Sequence, residues 1–146
     1  QQGLDCICSI IRGLYKNETL KKIEMMICGY HRDDRTEEEA EGFRNSVTNS
    51  INISLMHALT SRHAQRNESV CVLEEFGLYV DGCFPVRPNE EATFWLSMNK
   101  NEMKQKLNNS PDDFNLWRDA IIENKCIPRV TYHLIRQNHV LLLPSS

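Results

Sequence analysis

No apolar run in this 146-residue chain approaches the roughly 18 residues that a membrane-spanning helix needs, so no transmembrane segment is expected. A basic stripe is missing as well. The 17 Lys and Arg are scattered among 20 Asp and Glu, and without clustered positive charge to neutralise phosphates, nucleic acid is not an expected partner. Glycine (6) and proline (5) are sparse and fall where helices would end. With no linker, repeat or low-complexity tract, the expectation is a single domain over residues 1–146.

Catalytic signatures are also lacking. The chain has no G-x-S-x-G elbow, phosphate-binding G-x-x-x-x-G-K-[ST] loop or G-x-G-x-x-G turn. His31, His57, His63, His133 and His139 include no pair four apart, the spacing that sets two imidazoles on one helix face. The acidic stretch Asp33, Asp34, Glu37, Glu38, Glu39 and Glu41 lacks the spacing of a calcium loop and reads as a solvated helix start. Among the cysteines only Cys6 and Cys8 are close together, so the two ligand pairs of a zinc site are missing. No catalytic residue, metal site or cofactor is assigned from the sequence, and enzymatic activity is not expected.

What the chain does have points outside the cell. Six cysteines, Cys6, Cys8, Cys28, Cys71, Cys83 and Cys126, are an even number in a small domain and imply three disulfides stapling the N-terminal helices to later ones. On a helix Cys6 and Cys8 diverge by about 200°, which sends them to different partners. N-x-Ser/Thr acceptors occur at Asn17, Asn52, Asn67 and Asn108, more than chance pairing of 13 Asn with 16 Ser or Thr would produce. The chain opens on Gln1 without an initiator Met, as expected after signal-peptide removal. Together these features imply a secreted, extracellular glycoprotein.

Periodicity implies about six helices. Leu4, Ile7, Ile11 and Leu14 mark a first over residues 4–14, and Leu20, Ile23, Ile27 and Tyr30 a second over residues 20–30. Thr36 with Glu39 forms a capping box before Ala40, Phe43, Val47, Ile51, Leu55, Ala58 and Leu59, a stripe running to His63 over about 42 Å. Asn52 sits at the margin of that stripe, where a glycan would face solvent. A fourth helix over residues 70–80 carries Val70, Leu73, Phe76 and Val80, with Asp81-Gly82 as its stop and an ordered loop over residues 83–88. A fifth follows Asn89, with Trp95, Met98 and Leu107 on one side. A sixth starts at Ser110-Pro111-Asp112-Asp113, with Phe114, Trp117 and Ile121 inward. Residues 127–143 fit helix or strand, and the apolar run at residues 140–143 calls for cover by the core or a partner.

The expected fold is therefore all-α: a compact bundle of about six helices around one long central helix, cross-linked by disulfides. That inventory resembles insect odorant-binding proteins, which carry hydrophobic ligands. The cysteine intervals depart from that family, which sets its second and third cysteines about one helical turn apart, whereas Cys8 and Cys28 are 20 positions apart. No residue is carried over. Two functions fit: an extracellular protein-binding factor (ligand, effector or inhibitor) presenting a helical surface, or a carrier of a small hydrophobic ligand in a helical core cavity. A carrier requires a continuous apolar cavity of about 300 Å³ or more, and a binding factor a solid core.

Overall fold

The structure, a computed structural model, describes residues 2–28, 35–62, 68–82, 84–110 and 113–123. Among these residues are five α-helices and a three-stranded mixed sheet, which overturns the all-α bundle. Helix α1 (Gln2–Gly13) leads through a single 3-10 turn (Leu14–Lys16) to strand β1 (Lys22–Ile27). Helix α2 (Glu37–Thr60) then crosses to β2 (Glu75–Val80), which turns back into β3 (Phe84–Val86). Helices α3 (Glu90–Lys100), α4 (Met103–Asn109) and α5 (Phe114–Glu123) follow.

Both errors of element type have one cause. In β1, Ile23 and Ile27 are four apart and fit a helical face, but Ile23, Met25 and Ile27 also alternate, and it is this period of two that turns inward. Over residues 70–80, Val70, Leu73, Phe76 and Val80 suit a helix, while Phe76, Leu78 and Val80, all within β2, suit a strand. Pairing decides between the patterns. β1 and β2 run parallel with Ile23 opposite Phe76, Met25 opposite Leu78 and Ile27 opposite Val80, so the inward residues of both strands share one face. Parallel neighbours need a long crossover, which the 24 residues of α2 supply.

The Asp81-Gly82 pair is a hairpin turn rather than a helix stop. Both residues are left-handed, with φ of 52° and 75°, and the segment expected to be a loop returns as β3, antiparallel to β2. The resulting sheet has the order β1-β2-β3.

Helix α2 forms because Thr36 accepts a hydrogen bond from the Glu39 amide at 3.1 Å, while Glu37, Glu38 and Glu39 meet the positive end of the helix dipole. Its Val47, Ile51, Leu55, Ala58 and Leu59 pack with Leu4 and Ile11 of α1 against Ile27, Leu78, Val80 and Val86 of the sheet. The opposite face of the sheet carries exposed Lys22, Glu24, Met26, Glu75, Tyr79 and Pro85. A second apolar cluster joins Phe94 and Met98 of α3, Met103 and Leu107 of α4, and Trp117 and Ala120 of α5.

The single helix expected after Asn89 is broken in two. Asn89 caps α3 by accepting from the Ala92 amide at 2.8 Å, but Glu102 takes a left-handed conformation (φ 57°) and redirects the chain into α4. Helix α5 is capped by Asp113, whose carboxylate accepts from the Asn115 and Leu116 amides, rather than by Ser110. Among the described residues, no helix is long and apolar enough to cross a membrane. The ambiguous residues 127–143 lie outside the described residues.

Candidate functional site

The disulfide framework does not form among the described residues, where Cys6, Cys8, Cys28 and Cys71 are all free thiols. Their environments explain this. Cys6 is on the exposed side of α1, and Cys8 faces α2, with its thiol directed at the Ser50 carbonyl. Cys28 is exposed just past the end of β1, and Cys71 is buried in the core cluster before β2. Cys83 and Cys126 lie outside the described residues.

The four acceptor asparagines have different surroundings. Asn17 turns the chain toward β1, its side-chain oxygen accepting from the Thr19 and Leu20 amides at 2.9 and 2.7 Å. Asn52 is inside: its amide nitrogen donates to the carbonyls of Thr48 (3.0 Å) and Arg87 (3.1 Å), and its oxygen accepts from the Asn89 amide. Ser54, the hydroxyl of the same sequon, is fully buried. A glycan on Asn52 would replace one of the two amide hydrogens that make these donor bonds. Asn108 is half-buried on α4 and donates to the Ser69 carbonyl at 2.8 Å, and Asn67 lies outside the described residues.

Of the histidines, His57 is described: it is exposed in the last turn of α2, edge-on to Tyr15 and beside Ser61. Among the described residues, no three or more His, Cys, Asp or Glu come together as a metal-holding group.

Residues 69–73, just before β2, carry the most distinctive arrangement. Their alternate carbonyls are held by side chains of two helices: Ser69 by Asn108 (2.8 Å), Cys71 by Lys104 (2.9 Å) and Leu73 by Asn99 (2.7 Å). The spacing has a simple geometric origin. Lys104 and Asn108 are one turn apart on α4, about 6 Å along its axis, and two residues of extended chain span about 6.6 Å. The helices thus stand where a neighbouring strand would, reading every second carbonyl. The intervening residues, Val70 and Val72, make no backbone hydrogen bond among the described residues. Extended chain points successive peptide groups to opposite sides, so the Val70 and Val72 groups form the other edge, which the Glu74 amide closes at one end by donating to the Lys21 carbonyl at 2.7 Å.

That edge borders a cleft of about 320 Å³. Residues 68–72 line it together with Glu74, with Asn99, Glu102, Lys104, Gln105 and Asn108 from α3 and α4, and with Glu18 and Lys21 from the approach to β1. Polar and apolar groups line it about equally. A separate apolar gap between Leu4, Ile27, Phe43, Val47 and Val80 has no room for a water molecule.

Lys104 is the centre of the arrangement. It is buried, and its ammonium also donates to the Leu59 carbonyl at 2.6 Å, in the last turn of α2, where the negative end of the dipole favours a cation. Burial pushes its pKa down to about 8, against the opposing pull of Cys71. Burial in turn pushes the Cys71 thiol up, with the Leu73 amide and Lys104 opposing. Ser69 donates a second bond to the Leu59 carbonyl, at 2.8 Å. The last turn of α2, the extended segment and α4 are therefore fastened at one point.

Motif reading missed this site because no motif describes it. One signal was present: Lys104 and Asn108 are four apart beside Met103 and Leu107, which are also four apart, so a polar row runs alongside the apolar row of a short helix. Compared with known proteins, the chain matches no family model, no curated protein and no solved structure.

Proposed function

We propose that the protein is a binding module that captures an extended segment of another protein by strand addition along residues 69–73. The observation carrying this reading is the asymmetry of that segment. Its odd-numbered carbonyls are held by Asn99, Lys104 and Asn108, while the backbone groups of Val70 and Val72, which border a cleft, have no hydrogen bond among the described residues. Unpaired edge groups are a template for another chain, because main-chain hydrogen bonds supply affinity without a specific side chain on the partner. The anchored side keeps the edge extended before the partner arrives, which lowers the ordering cost of binding.

This keeps the protein-binding function expected from the sequence and moves it from a helical surface to a strand edge. A hydrophobic carrier has less support, since the apolar gap in the core is closed to water and the cleft that does have the volume is half polar. An extracellular setting is proposed on the acceptor sequons, among which Asn17 keeps its amide nitrogen outside the hydrogen bonds of the described fold.

The test uses nine-residue peptides selected on the protein from a displayed random library, followed by amide hydrogen exchange. Strand addition protects the Val70 and Val72 amides in the complex. Selected peptides that bind and leave both amides exchanging freely overturn the reading, as does a selection that enriches nothing.

A further inference from the structure

Strand β1 is an outer strand of the sheet. Its ladder to β2 is made by odd-numbered residues, as the two ends show: the Lys21 carbonyl accepts from the Glu75 amide at 3.0 Å, and the Ile27 carbonyl from the Asp81 amide at 2.7 Å. The N–H and C=O groups of Lys22, Glu24 and Met26 therefore point away from β2, and among the described residues no hydrogen bond reaches them. The opposite edge is blunted, because β3 is three residues long and its Pro85 has no outward N–H. β1 has six residues and no proline. Its charged residues, Lys22 and Glu24, are exposed, of opposite sign and two positions apart.

We infer that this edge pairs with β1 of a second copy of the chain, antiparallel about a twofold axis through Ile23, so that two three-stranded sheets become one. Lys22 then stands opposite the partner's Glu24, and Glu24 opposite the partner's Lys22. Each pair exchanges both main-chain bonds, between groups that point outward in the single chain. Lys22 already lies beside Glu75 at 3.6 Å, so the row across the joined sheets reads Glu75, Lys22, the partner's Glu24, with the charge alternating. Exposed Leu20 stands opposite the partner's Met26, and exposed Met26 opposite the partner's Leu20. The Leu20 amide is held by Asn17, so this outer contact is between side chains. On the covered face, half-buried Ile23 meets its own counterpart at the axis. Neighbouring registers are disfavoured. A slip of two residues sets Lys22 against Lys22 in one direction and Glu24 against Glu24 in the other, and a slip of one turns the core face outward. Residues 69–73 take no part in this contact.

One short strand per copy makes a contact smaller than the roughly 800 Å² a side of a standard interface, so a dissociation constant between about 10 and 500 µM is expected. Sedimentation velocity of the full chain across that range reads the monomer–dimer equilibrium, and the Lys22 and Glu24 amides are expected to exchange more slowly as concentration rises. Lys22→Glu and Glu24→Lys each put like charges at both pairs and are expected to weaken association about tenfold or more, with folding checked by circular dichroism. Mixed in equal amounts, the two variants oppose unlike charges again and are expected to recover the dimer. Glu24→Pro removes one outward N–H, leaves the β1–β2 ladder intact and is expected to give a folded monomer. A wild-type chain that stays monomeric to about 1 mM overturns the inference, as does a dimer that persists unchanged in Glu24→Pro. Folded single variants that lose the dimer and do not recover it on mixing overturn the register.

Discussion

The ammonium of Lys104 donates to the carbonyl of Leu59 across 2.6 Å, tying a seven-residue helix to the last turn of the longest one. Leu59 is among the terminal carbonyls of α2, which have no partner inside the helix. Replacing Lys104 with Met keeps most of the side-chain volume and removes the charge. It relieves the burial of an ion but strips the charged donor from Leu59 and Cys71. Bonds to charged groups outweigh the relief, so Lys104→Met is expected to lower unfolding free energy by about 1–3 kcal/mol, read from urea denaturation at pH 7.

The same lysine gives stability an alkaline dependence of unusual sign. Below pH 8 both folded and unfolded chains hold its proton, and the burial penalty is present in full. Between about 8 and the ordinary value of 10.5 the folded chain releases that proton while the unfolded chain keeps it, so stability rises with pH. Cys71 acts oppositely from its ordinary value of 9.0 upward, because the unfolded thiol ionises first. The net expectation is a gain of about 1 kcal/mol between pH 7.5 and 9, levelling off above. Lys104→Met should lack the gain, and a wild-type curve that falls over this interval contradicts the assignment.

Asn52 organises the passage from β3 to α3. It holds the Arg87 carbonyl and the Asn89 amide, and Asn89 then caps α3. Asn52→Ala leaves these partly buried groups without their partner and is expected to cost about 1–3 kcal/mol in chemical denaturation. In a secreting eukaryotic host, glycopeptide mapping of the folded protein should find Asn52 unmodified. An occupied Asn52 on a protein with an unchanged thermal midpoint would refute this placement.

Thiol reactivity should follow burial. In a Cys83→Ser/Cys126→Ser background, Cys6 and Cys28 are expected to react rapidly with a maleimide, and Cys8 more slowly because its thiol is engaged with Ser50. Cys71 should react on unfolding. Mass spectrometry of timed samples reads the order, and early labelling of Cys71 would contradict its place in the core.

The turn between β2 and β3 offers a test of backbone conformation alone. A Cβ added at Gly82 meets nothing within 4 Å, so no steric clash contributes. Its φ of 75° still disfavours a side chain, and Gly82→Ala is expected to cost about 1 kcal/mol in thermal or urea unfolding.

Signals confined to one turn of chain were legible in the sequence. Thr36 and the glutamates after it mark the start of α2, and Asn89 marks the start of α3, because a cap is a bond between residues three apart. The apolar stripes of α1 and α2 are likewise written in local spacing. Partners distant in sequence decided the rest. Six-residue segments whose apolar residues fit periods of both two and four became β1 and β2 because each found the other in register. Cys6, Cys8, Cys28 and Cys71, the cysteines among the described residues, are free thiols, since proximity in space, and not an even count, makes a bridge. Asn52 turned inward to meet Arg87 and Asn89, over 30 positions away, and Lys104 reached Leu59 from 45. Capping and periodicity are properties of neighbours along the chain, whereas strand pairing, the fate of a thiol and the burial of a charge depend on what folding brings alongside.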